Sequence, residues 1–118
     1  EAGDVRRMSL EQLSESARKA CFLIVEAHPF RYDSVIMDDR LLDGVEVYNA
    51  NKNHDSHDYL AELWAEKKHL IRTTGSDFHD PHDHTAAGIM TEEPIEDNET
   101  LLRVLRSGAY ELIRPDMD

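Results

Sequence analysis

Short apolar runs alternate with amphipathic stretches along this chain, and that alternation limits the fold more than any other feature. Ser9-Leu10-Glu11-Gln12 reads as a capping box, and Leu10, Leu13, Ala17 and Ala20 follow helical spacing, which predicts a helix over 10–20. Phe22 to Ala27 predicts a short strand, stopped at His28-Pro29 because proline drives the preceding residue to extended geometry. Gly44 opens a second strand, Val45 to Asn49. Leu60, Leu63, Trp64 and Lys67 share one face of a predicted helix over 56–68, with the three apolar residues in the core. Leu70 to Thr74 is a third strand, ended by Gly75. After a polar loop, Gly88 to Met90 reads as a brief strand. Asn98 caps a helix that buries Leu101, Leu102 and Leu105 and stops at Gly108, and Ala109 to Ile113 is the last strand. Strands alternating with helices predict an α/β layer with largely parallel strands.

Composition narrows function by exclusion. Among 118 residues there are 25 acidic and 13 basic side chains, a net charge of −12. That balance disfavours non-specific nucleic-acid binding and anionic membranes, both of which need basic patches. The longest apolar run, Ala20 to Val25, is far too short to span a bilayer. A lone cysteine, Cys21, excludes an internal disulfide framework and the multi-cysteine zinc modules, and leans the compartment towards the cytoplasm. Cys21 lacks an activating neighbour and reads as a core residue. The chain opens on Glu1, with Met8 its first methionine, as expected of part of a larger protein.

Parallel α/β sheets gather functional residues at the carboxyl ends of their strands. Here those ends carry His28, Asn49 and the turn from Gly75 to His79. Asp77 and His79 form an Asp-x-His pair, and in extended backbone two such side chains point the same way. Both are good ligands for Zn, Mn or Fe. The same residues also suit an Asx-turn followed by an exposed histidine. His28 suits a partly buried, hydrogen-bonded histidine at a strand end, or a ligand. Arg31 suits a bidentate anion clamp or a salt bridge. Glu46 and Tyr48 share a strand face opposite Val45 and Val47, and an inward Glu46 needs a partner or a metal. His54, His57, His82 and His84 read as solvated or adventitious sites.

Three pieces in order, Glu26-Ala27-His28-Pro29-Phe30-Arg31, Gly44-Val45-Glu46-Val47-Tyr48-Asn49 and Thr74-Gly75-Ser76-Asp77-Phe78-His79, resemble the C-terminal half of the polymerase and histidinol phosphatase (PHP) domain superfamily. The resemblance covers roughly residues 8–114 and includes the last helix and strand. It implies a partial, C-terminal half of a distorted α/β barrel with largely parallel strands, spanning residues 1–118, the N-terminal half being absent. It implies a metal-dependent phosphoesterase that hydrolyses a phosphate ester of a small molecule or nucleotide. By the same resemblance His28, Asp77 and His79 are metal ligands for divalent Zn, Mn or Fe, and Arg31 meets substrate phosphate. No His-x-His precedes His28, so this chain carries a minority of the family's ligands and alone is expected to be inactive. Two rivals stand beside it: a non-catalytic scaffold or partner-binding module with an incomplete metal site, and a histidine-rich metal binder built on His79, His82 and His84. An open sheet edge in half a barrel predicts self-association.

Overall fold

The structure, a computed structural model, describes residues 4–83 and 86–115. His84 lies outside the described residues. Ser9 caps α1 (Leu10–Lys19), and both halves of the capping box form: the Ser9 hydroxyl accepts from the Gln12 amide while the Gln12 side chain accepts from the Ser9 amide. The chain then runs through β1 (Val25–Glu26), β2 (Gly44–Asn49), α2 (Asp58–Lys68), β3 (Ile71–Gly75), β4 (Gly88–Met90), α3 (Asn98–Ser107) and β5 (Glu111–Ile113). Strands β1, β2 and β3 form a parallel sheet in that order, and β4 pairs antiparallel with β5 in a second, two-stranded sheet. The two are pinned together by Thr74, whose hydroxyl donates towards the carbonyls of Gly88 and Ile113. The result is an α/β domain with three α-helices, and no closed barrel is seen among the described residues.

Packing is centred on β2 and α2. Val45 and Val47 are buried against Ala61 and Ala65, which lie four apart on α2, so the small side chains bring helix and strand close. Ile24, Phe30, Trp64, Leu70 and Leu112 pack around this cluster, and Phe30 meets Trp64 edge-on at 5.7 Å. Close approach also governs the strands. A Cβ at Gly44 would stand 2.5 Å from the carbonyl oxygen of Ile71, its partner in β3. Gly108 ends α3 in the left-handed region, at φ 75°.

Several expectations are corrected. The first predicted strand shortens to two residues. Cys21 turns the chain at φ 60°, Phe22 is exposed, and the Ile24 amide bonds the Asp43 carboxylate at 2.7 Å. Cys21 is itself exposed, so it is no core residue. Leu63 is exposed because the face of α2 that meets the sheet is the alanine stripe. Asp97, not Asn98, caps α3, since its carboxylate accepts from the Thr100 amide. Val104 is the buried residue of that helix. Among the described residues no helix is long and apolar enough to cross a membrane.

Candidate functional site

Parallel pairing brings the carboxyl ends of β1, β2 and β3 to one edge of the sheet, and the polar residues that follow each strand meet there. Asp77 is the hub. Its Oδ2 accepts from the Arg31 guanidinium at 2.8 Å and from Asn49 Nδ2 at 3.3 Å, and its Oδ1 accepts from His79 Nε2 at 2.8 Å. Its backbone carbonyl accepts from Asn51 Nδ2 at 3.2 Å. The Asp77 side chain is only 12% exposed, whereas that of His79 is 72% exposed. The pair therefore presents a carboxylate anchored from below and an imidazole open to solvent.

The charges agree with this picture. Burial, the largest single influence, pushes the Asp77 carboxyl up, but bonds from Arg31, His79 and Asn49 outweigh it and hold the group down at about 2. Arg31 is buried, with its second anchor on the Ser56 hydroxyl at 3.1 Å. In this arrangement it is engaged with Asp77 rather than extended as an anion clamp.

His28 joins the cluster through its backbone. Its amide donates to Glu46 Oε1 at 2.9 Å, and Asn49 Nδ2 donates to the same oxygen at 2.9 Å. The His28 ring turns Nδ1 to the Ser34 hydroxyl, 2.9 Å away. Burial raises the Glu46 carboxyl above the ordinary range, against the lowering effect of Asn49 and the His28 amide. One asparagine thus bridges two carboxylates on adjacent parts of the rim.

Two backbone features build this convergence. A bulge in β2 falls between Glu46 and Tyr48, which breaks the strand's two-residue alternation. Glu46 and Asn49, three apart, consequently reach each other. His28 and Asp77 both sit at positive φ, 29° and 50°. Non-glycine residues held there cost on the order of 1–3 kcal/mol each, and the bonds to Glu46, Arg31 and Asn51 hold them in place.

Sequence reading overlooked Asp83, Asn51 and Ser56. Buried Asp83 accepts from the amides of His79 and Asp80 and from Asn53 Nδ2, and so fixes the loop that carries His79. The available signal was the density of Asn and Asp in the two loops, residue types that bond nearby backbone. His57 donates Nδ1–H to the Phe30 carbonyl. A cleft of about 770 Å³ alongside α2 has Asn49 and Ser56 in its wall.

Asp77 and His79 are suitable donors for a divalent ion, yet among the described residues no group of three or more His, Cys, Asp or Glu is arranged to hold one. The rim presents a two-donor edge, and His28 is tied to it through its backbone amide, Glu46 and Asn49. No protein-family model, curated protein or solved structure matches the chain, so the functional reading rests on its own residues.

Proposed function

We propose that these residues form the C-terminal part of a metal-dependent phosphoesterase of the polymerase and histidinol phosphatase kind, folded as part of a distorted α/β barrel. The observation that carries the reading is the state of Asp77: one oxygen is clamped by Arg31 and Asn49 while the other lies beside His79 Nε2 at the solvent edge. Clamping one oxygen orients the other, as carboxylate ligands are oriented in metal sites. A divalent ion bound there supplies charge neutralisation and an activated water.

The chain's own part is to hold the donors. Asp77 Oδ1 and His79 Nε2 are hydrogen-bonded to each other at 2.8 Å, and an ion bound there would take the place of the proton they share. His28 offers Nε2, its Nδ1 being engaged with Ser34. Arg31 keeps a positive charge beneath Asp77, which offsets the acidic chain locally. Among the described residues no group of three or more His, Cys, Asp or Glu is arranged to hold an ion, so this chain alone is predicted to bind metal weakly and to turn over little phosphoester.

Calorimetric titration with Mn²⁺ and Zn²⁺ tests the reading. One ion is expected per chain, with affinity falling about 10–100-fold in Asp77→Ala and in His79→Ala and unchanged in a His82→Ala/His84→Ala variant. Binding that follows His82 and His84 instead would favour the histidine-rich loop and overturn the assignment. Robust hydrolysis of bis-p-nitrophenyl phosphate by this chain, abolished by Asp77→Ala, would contradict the incomplete site.

A partner-binding module is the second reading. Tyr32, Val35 and Ile36 are exposed in the loop that follows β1, an edge strand of the sheet. Light scattering bears on it: a monodisperse monomer counts against self-association through this face.

A further inference from the structure

We infer that Glu46 is a positioning residue for the Asp77–His79 edge, and that Gly75 is a glycine in order to seat it. The inference rests on the reading of that edge as a metal site, but its geometry stands separately. Glu46 lies on β2 and Gly75 on β3. A Cβ built on Gly75 would stand 2.5 Å from Glu46 Oε2 and 3.7 Å from its carboxyl carbon, and no other atom beyond its chain neighbours lies within 4 Å. The notch therefore fits one group only.

Seated there, the carboxylate turns Oε1 to two donors on different strand ends. One is the His28 amide, which follows β1 and is held at φ 29°. The other is Asn49 Nδ2, which also reaches Asp77 Oδ2. Glu46 thus links the backbone of one proposed ligand to the carboxylate of another through a single asparagine. A carboxylate at the end of a flexible side chain can swing aside at small packing cost. The consequence of filling the notch therefore falls on what Glu46 holds rather than on overall stability.

This arrangement makes a double-mutant cycle decisive, because a methyl group added at Gly75 has nothing to strike once Glu46 is truncated. We measure Mn²⁺ affinity by calorimetry, and the NMR shifts of the His28 backbone amide and the Asn49 side-chain amide, in Gly75→Ala, Glu46→Ala, Glu46→Gln and Gly75→Ala/Glu46→Ala. Gly75→Ala and Glu46→Ala should each weaken Mn²⁺ about 10–100-fold and move both amide signals. Glu46→Gln, which keeps an acceptor oxygen, should restore most of the affinity and the His28 shift. Adding Gly75→Ala to Glu46→Ala should change nothing further.

Folded Gly75→Ala or Glu46→Ala protein with parental amide shifts would overturn the inference, as would additive effects in the double variant. If the parent binds no Mn²⁺, the metal-site reading fails while the amide shifts still decide the positioning role. Should Glu46→Ala fail to fold, Gly75→Ala and Glu46→Gln carry the same comparison.

Discussion

Replacing Arg31 by Met probes the hub of the site without touching a proposed ligand. Arg31 and Asp77 are 9% and 12% exposed at the side chain, and the guanidinium lies 2.8 Å from Oδ2. Removing one partner of a buried pair strands the other charge and costs about 3–5 kcal/mol. Domains of this size are stable by roughly 5–15 kcal/mol, so the loss is a large fraction of the whole. It should lower the urea midpoint by roughly 1–3 M.

The effect must also depend on pH. The Asp77 carboxyl is held at about 2 instead of the ordinary 3.8. A depressed carboxyl stabilises the fold fully above its unfolded value, and that contribution fades as pH falls through the folded one. For Asp77 it amounts to on the order of 2 kcal/mol, lost between about pH 4 and pH 2. Arg31→Met removes much of this contribution in advance, so the stability gap between parent and variant should be widest above pH 5 and narrow towards pH 2. Urea titrations followed by the fluorescence of Trp64, the chain's one tryptophan, measure the gap at each pH. A gap below about 0.5 kcal/mol at pH 7, as for an exposed pair, or one that stays constant to pH 2, would refute the reasoning.

Other outcomes follow from the packing. Gly44→Ala drives a Cβ into the Ile71 backbone, and thermal melts should show a loss of about 1–3 kcal/mol. Ser9→Ala removes the hydroxyl half of the capping box and should cost about 1 kcal/mol, seen as a lower melting temperature. Cys21 is exposed, so one thiol should react with a disulfide reagent in the native state as fast as in the unfolded one, and a slow, denaturant-dependent reaction would contradict its placement. Asp83→Ala frees the amides of His79 and Asp80, and hydrogen exchange in that loop should accelerate while β2 remains protected.

Local chemistry was legible where one residue type suffices. The Ser9–Gln12 capping box, the apolar runs of β2 and β3, and the stop at Gly108 were all readable because each depends on spacing or on a single backbone preference. The strand ends were readable for the same reason, since parallel strands gather at one edge. Three features escaped. The β2 bulge changes which side chains meet, and nothing in Val45-Glu46-Val47-Tyr48 marks it. Positive φ at His28 and Asp77 is enforced by tertiary hydrogen bonds rather than by glycine, so no local signal announces it. The inward face of α2 is drawn by Ala61 and Ala65, whose small size suits close packing, while the larger Leu63 faces solvent. Hydrophobicity alone assigns that face wrongly.

In the proposed site a divalent ion settles at the edge formed by Asp77 and His79. Paramagnetic broadening by substoichiometric Mn²⁺, read residue by residue in the NMR spectrum of this chain, locates that ion directly. Signals of Asp77 and His79 should vanish first, with His28 and Asn49 next. Broadening centred on His82, or spread evenly over the acidic surface, would contradict the account.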